Sequence, residues 1–215
     1  EGTLDLRGSP YRVRDDVFVP STGTLTIEPG VVMEFYHHPE ASPLSQDSKT
    51  RLLVFGNVMA KGTKTAPITF TAANREVGWW GIVQNTDTLS NAVGQRQMST
   101  RPSVYDHVII EYARKDGEWW ADSGPRPFSR GGGLNINLTG IESPPCQITI
   151  MNSIFRHNFA RESCGAVDLM TVFSAVFSDN LIEDNEARDF GGGGVCLSHG
   201  TGTKVQRNLF RNNRA

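Results

Sequence analysis

Asn152-Ser153-Ile154-Phe155-Arg156-His157-Asn158, Asp179-Asn180-Leu181-Ile182-Glu183-Asp184-Asn185 and Arg207-Asn208-Leu209-Phe210-Arg211-Asn212-Asn213 are three versions of one short phrase. Their closing asparagines, Asn158, Asn185 and Asn213, are 27 and then 28 residues apart. Self-similarity at a fixed period of this size decides the architecture before any other feature. A second register lies between the phrases: Gly133-Leu134-Asn135-Ile136, Ala166-Val167-Asp168-Leu169 and Gly194-Val195-Cys196-Leu197. Each period therefore holds at least two strands, separated by a short turn at the asparagine and a longer glycine-rich one. Amphipathic stripes spaced for a helical solenoid are absent.

In a β-solenoid each period is one coil, and equivalent residues of successive coils stack about 4.8 Å apart. Ile150, Phe177 and Val205 are then expected to stack inside, and so are Phe155, Ile182 and Phe210. A buried tight turn leaves backbone N–H and C=O groups in need of partners. Asparagine supplies donors and an acceptor and tolerates the left-handed region. Asn158, Asn185 and Asn213 read as an internal asparagine ladder with a structural role. Asn180 and Asn208, with Ser153 in the third coil, read as a second polar stack. The predicted fold is all-β, a single-stranded right-handed parallel β-helix.

Earlier in the chain the pattern is looser. Alternating apolar positions from Leu4 to Val19 predict one or two entry strands. Leu25 to Phe35 is a strand, a Pro29-Gly30 turn and a second strand. Leu52–Thr63 repeats that design, Pro67–Thr71 adds a third face, and Trp79–Val83 begins another strand. Val104–Ala113 aligns with the later phrases, with Ile109-Ile110 in the place of Ile154-Phe155 and Ala113 in the place of Asn158. Residues 36–50, 86–102 and 114–130 read as loops or insertions. The 215 residues are expected to form one domain, with decorated coils over 1–130 and regular coils over 131–215. The chain stops just after a repeat's last asparagine, and a stack without a polar cap is expected to continue. It is read as a fragment of a longer extracellular protein.

The composition narrows the function. A net charge of −2 with interspersed signs leaves no electrostatic footprint for nucleic acid. No apolar run approaches the roughly 20 residues of a membrane span. Cys146, Cys164 and Cys196 are an odd number, open to one disulfide plus a free thiol or to a bond outside the fragment. Asn137-Leu138-Thr139 is a glycosylation sequon, relevant if the chain is secreted.

The repeats resemble those of the right-handed parallel β-helix proteins of the pectin-lyase-like superfamily. Leu25-Thr26-Ile27-Glu28-Pro29-Gly30, Gly56 to Thr63, Pro67-Ile68-Thr69-Phe70-Thr71 and Trp80-Gly81-Ile82 resemble the opening of many secreted or surface members. The whole also resembles the β-helix ectodomains of animal cell-surface proteins such as the bark beetle/Anakonda tricellular-junction family. The superfamily includes lyases, hydrolases and adhesins, so the resemblance implies fold more than activity.

A lyase-like site needs several carboxylates around Ca²⁺ and a base. The outward stack of the second register holds Asn135, Asp168 and Cys196, with one carboxylate. Arg188, Asp179, Asp184 and Asp189 read as solvated turns. Of the hydrolase signatures the resemblance implies, only Ser198-His199-Gly200 is a partial echo. Asp15-Asp16 lies far away in the leading segment. His37, His38 and His107 read as surface or packing residues, and Gly191 to Gly194 as a turn. No metal or cofactor is expected. Trp119-Trp120, in a Pro/Gly-rich insertion, is the candidate binding pair, suited to a sugar ring or a protein interface. The expected function is a non-catalytic extracellular interaction or adhesion module of a cell-surface or cell-junction protein. Its partners would be a protein or glycan at the cell surface, with further coils or a capping domain outside the fragment. The alternative is a polysaccharide-active enzyme, a lyase or glycoside hydrolase working in a groove of the β-helix.

Overall fold

A computed structural model describes residues 2–38, 49–84, 102–116, 130–137, 147–170, 174–198 and 202–215. The chain visits the same sheets in rotation. The first circuit supplies β1 (Gly2–Leu4), β2 (Tyr11–Val13) and β3 (Val17–Val19), and the second β4 (Thr24–Ile27), β5 (Val32–Phe35) and β6 (Leu52–Val54). The third supplies β7 (Asn57–Lys61), β8 (Ile68–Ala72) and β9 (Ile82–Gln84). From the fourth on a two-residue strand is added: β10 (Ser103–Asp106), β11 (Val108–Glu111), β12 (Arg114–Lys115) and β13 (Leu134–Asn137). The fifth is β14 (Ile148–Met151), β15 (Ile154–Arg156), β16 (Phe159–Ala160) and β17 (Val167–Met170). The sixth is β18 (Val176–Ser178), β19 (Leu181–Glu183), β20 (Glu186–Ala187) and β21 (Val195–Ser198), followed by β22 (Lys204–Gln206) and β23 (Leu209–Arg211).

These strands form two seven-stranded sheets, one six-stranded sheet and one three-stranded sheet, and every strand pairs in parallel with its counterparts in the neighbouring circuits. The molecule is all-β with stacked parallel sheets, consistent with a β-solenoid. Each later period carries three strands plus a two-residue one, meeting the expected minimum of two, and the leading segment has three short strands rather than one or two.

The expected registers are present. Ile150 pairs with Phe177 and Phe177 with Val205. Phe155 pairs with Ile182, and Ile182 with Phe210. Ile109-Ile110 lies beside Ile154-Phe155. One apolar core runs along the interior, from Val13 to Ile182. Each fully buried large side chain in it contributes about 1.5–3 kcal/mol.

The corners explain the phrase. Between the first and second sheets the residue just outside the turn has positive φ: Gly30 (82°), His107 (50°), Asn152 (51°), Asp179 (59°) and Arg207 (55°). After the second sheet the same holds for Gly78 (78°), Tyr112 (55°), His157 (54°), Asp184 (53°) and Asn212 (52°). Most of these are Gly, Asn, Asp or His, the types that tolerate this region best. The next residue points inward. At the second corner that inward line begins with Trp79, whose ring stacks on Phe35 at 4.0 Å and whose Nε1 donates to Glu111 O (2.9 Å). It continues through Ala113 to Asn158, Asn185 and Asn213. Asn158 Nδ2 donates to Asn185 Oδ1 (3.0 Å) and to Ile110 O (3.0 Å). Asn185 Nδ2 donates to Asn213 Oδ1 (2.9 Å) and Phe155 O (2.9 Å). The N–H groups of Ala113, Asn158 and Asn185 donate to the next Oδ1 in line at 3.1, 3.0 and 3.1 Å. At the first corner Asn180 Nδ2 donates to Asn208 Oδ1 (3.0 Å), and the Ser153 N–H donates to Asn180 Oδ1 (3.0 Å).

Ahead of the third sheet the circuits approach too closely for side chains. A Cβ on Gly132 would lie 2.2 Å from Gly165 O, and one on Gly165 would lie 2.2 Å from Gly193 O. Glycine is the only residue that fits this stack.

Candidate functional site

Trp119, Trp120 and Cys146 lie outside the described residues. Asn137 ends β13, and Leu138 and Thr139 of its sequon lie outside them. Cys164 and Cys196 form a disulfide, which resolves the pairing the sequence left open. His37, His38 and His107 do not gather: His107 Nδ1 lies 2.7 Å from Asp106 Oδ1, and His38 Nε2 lies 4.0 Å from Asp15 Oδ1. Gly191 and Gly192 have positive φ, as a turn requires. Asp179 and Asp184 occupy corner positions, and Asp179 pairs with Arg207 at 2.6 Å.

The outward stack of the third sheet needs a correction. Phe18, Leu53, Val83, Asn135, Asp168 and Cys196 are in register along it. Asn135 and Asp168 point away from the core, yet they are only 2% and 1% exposed. Three residues outside the sheet cover or approach them. Arg130 sits beside Ser163, with its Nε 3.3 Å from Asp168 Oδ2 and 3.8 Å from Glu162 Oε1. Lys115, fully buried, donates through Nζ to Arg130 O (3.0 Å) and Gly131 O (2.7 Å). Asn135 Nδ2 donates to the same Arg130 O (3.2 Å) and to Asp168 Oδ2 (3.4 Å). Gly131 takes φ 59° and packs so tightly on Asp168 that a Cβ would lie 2.9 Å from the Asp168 Cβ.

Burial dominates the electrostatics of this cluster. It pulls the Lys115 amine down to about 7, against the opposing pull of Asp168. It pushes Asp168 up from the usual carboxylate range, opposed by Arg130 and Lys115. It also raises Glu162, with Arg130 opposing and Asp168 and Asp189 reinforcing. Desolvation disfavours the charged form of each group. Among the described residues six buried side-chain polar atoms have no hydrogen-bond partner, and four of them are here: Arg130 Nε, Asn135 Oδ1, Glu162 Oε2 and Asp168 Oδ1. Arg130 Nε touches Asp168 as a charge contact without the alignment of a hydrogen bond. A second buried pair, Lys49 Nζ to Asp116 Oδ2 at 2.6 Å, also anchors to Arg114 O of β12.

The cluster thus brings together an amine of low basicity, a carboxyl of raised pKa and a primary amide, all away from water. Cys164, Asp168 and Cys196 also place a sulfur, an oxygen and a sulfur within 4.8 Å of one another. The disulfide occupies both sulfurs, so they offer no thiolate to a metal.

Lys115, Arg130 and Glu162 escaped the sequence reading. Two signals were available. The alignment of Ala113 with Asn158 and Asn185 puts Lys115 in line with Ala160 and Ala187, where a cation is out of place. Leu53 and Val83 in the outward stack mark that face as covered.

Comparison with known protein families, curated proteins and solved structures finds no match. No helix among the described residues is long and apolar enough to cross a membrane.

Proposed function

We propose that the chain is a right-handed, single-stranded parallel β-helix of the pectin-lyase-like type, tied by an internal asparagine ladder at Asn158, Asn185 and Asn213. In this reading it serves as a non-catalytic extracellular interaction module, of the kind found in cell-junction ectodomains. The rotation of the chain through the same sheets and the asparagine-to-asparagine hydrogen bonds support the architecture. The Cys164–Cys196 disulfide supports an oxidising compartment.

One observation carries the functional half. A polysaccharide-active site needs carboxylates gathered where a polymer can reach them. Asp168, Asp179 and Asp184 sit at three different places around the circuit: the third sheet and the two corners. Asp168 does meet another acid and two bases, but that cluster is closed to a polymer by its own burial. The binding surface is assigned to the coils before residue 131, with Trp119 and Trp120 as its anchors.

A glycan array with Ca²⁺ in the buffer tests both halves of this reading. Retention of at least one glycan class is expected, with no unsaturated or reducing-end product. Trp119→Ala/Trp120→Ala should weaken that retention at unchanged melting temperature. Product release from any polymer would establish the enzyme instead, and loss of stability in the double variant would show the two rings to be core.

A further inference from the structure

We propose that Lys115 and Asn135 become joined by an intramolecular amide bond that the folded chain makes for itself, with Asp168 as the proton donor to the leaving ammonia. The geometry sets this up. Lys115 Nζ and Asn135 Nδ2 both donate to one oxygen, Arg130 O, at 3.0 and 3.2 Å, so nucleophile and amide share one anchor. Asp168 Oδ2 lies 3.4 Å from Asn135 Nδ2, the atom that must be protonated to depart. Gly131, whose carbonyl accepts the other Lys115 hydrogen bond at 2.7 Å, packs directly on Asp168.

The protonation states also favour the step. A lysine amine is a nucleophile only when neutral, and burial is the usual means of making it so near pH 7. Burial lowers the basicity of Lys115 and raises the pKa of Asp168. Both shifts run toward the neutral forms, an amine lone pair and an acidic proton, within one water-excluded site. Arg130, with its Nε 3.3 Å from Asp168 Oδ2 and 3.8 Å from Glu162 Oε1, opposes the neutral form of Asp168, and burial outweighs it.

The reaction balances without any co-reactant. Neutral Lys115 Nζ adds to Asn135 Cγ. The Cγ–Nδ2 bond breaks as Asp168 transfers its proton to Nδ2, and Asp168 recovers a proton from Nζ. A primary amine and a primary amide give a secondary amide and one ammonia. Nothing is oxidised or reduced. The bond would join β12 to β13, on the outer layer where the Cys164–Cys196 disulfide joins the next two circuits.

Intact-mass spectrometry of the folded, disulfide-reduced chain tests the proposal. The expected mass is about 17 Da below that of the sequence, the loss of one ammonia to an amine nucleophile. A tryptic digest should give one branched peptide carrying both Lys115 and Asn135. Lys115→Ala, Asn135→Ala and Asp168→Asn should each return the full mass of their own sequence. The unmodified sequence mass, or a free Lys115 side chain in the digest, would overturn the proposal. So would a loss of about 18 Da with Lys115 linked to Asp168, because water rather than ammonia would then have left. The wild-type measurement decides the question even if a variant fails to fold.

Discussion

Asn185 has the most demanding position of any single residue in the regular coils. Its amide donates to Phe155 O, Glu183 O and Asn213 Oδ1, and its Oδ1 accepts from the N–H and the Nδ2 of Asn158. Asn185→Ala would leave several of those groups buried without partners. It is expected to cost about 3–5 kcal/mol, since each such group costs about 1–3 kcal/mol. Asn213→Ala, on the half-buried last rung, should cost about 1 kcal/mol. Urea unfolding midpoints of the two variants check this, and equal shifts would show that burial is not what gives Asn185 its weight. The asparagines were legible in the sequence because a corner repeats its backbone demand every circuit. Lys115, Arg130, Asn135, Glu162 and Asp168 were not legible as a group. They meet across two circuits, and side-chain alternation says which way a residue points but not what lies over it. That gap is why Asn135 and Asp168 were read as outward without being read as buried.

At the scale of elements, the long strands were visible and the short ones were not. Four-residue strands such as Ile148–Met151 show two inward apolar positions, enough to reveal alternation. Two-residue strands such as Phe159–Ala160 are too short to show an alternation, so β12, β16 and β20 merged into the turns. The three-residue entry strands show one or two inward positions each, which is why three of them read as one or two. Between elements, the disulfide is the strongest tie that the sequence left undetermined. Cys164 precedes β17 and Cys196 lies within β21, so the bond fastens two neighbouring circuits over a sequence separation of 32. A cross-link of that loop length removes about 3–4 kcal/mol of unfolded-chain entropy. Cys196→Ser should therefore lower the melting temperature by roughly 6–16 °C, given about 2–4 °C per kcal/mol for a chain of this size. Dithiothreitol should lower the wild type by the same amount and leave the variant unmoved. A variant that still responds to reductant would place the stabilising bond elsewhere.

At the scale of the whole molecule, the interior of the stack is apolar and its flanks are charged. Along the sides, acids and bases pair between circuits: Glu111 with Arg156 at 2.7 Å, Asp179 with Arg207 at 2.6 Å, and Glu183 with Arg211. In each pair the arginine stands nearer to solvent than its carboxylate, so the pairs keep the flanks polar. Two of these pairs can be weighed against each other. Arg207→Ala removes the partner of Asp179 on the surface, and it should leave the urea unfolding midpoint nearly unmoved. Arg156→Ala leaves Glu111, a carboxylate only 5% exposed, with Thr71 Oγ1 as its remaining hydrogen-bond donor, and it should lower the midpoint clearly. Equal shifts in the two variants would show that burial of the carboxylate does not set the worth of a flank pair.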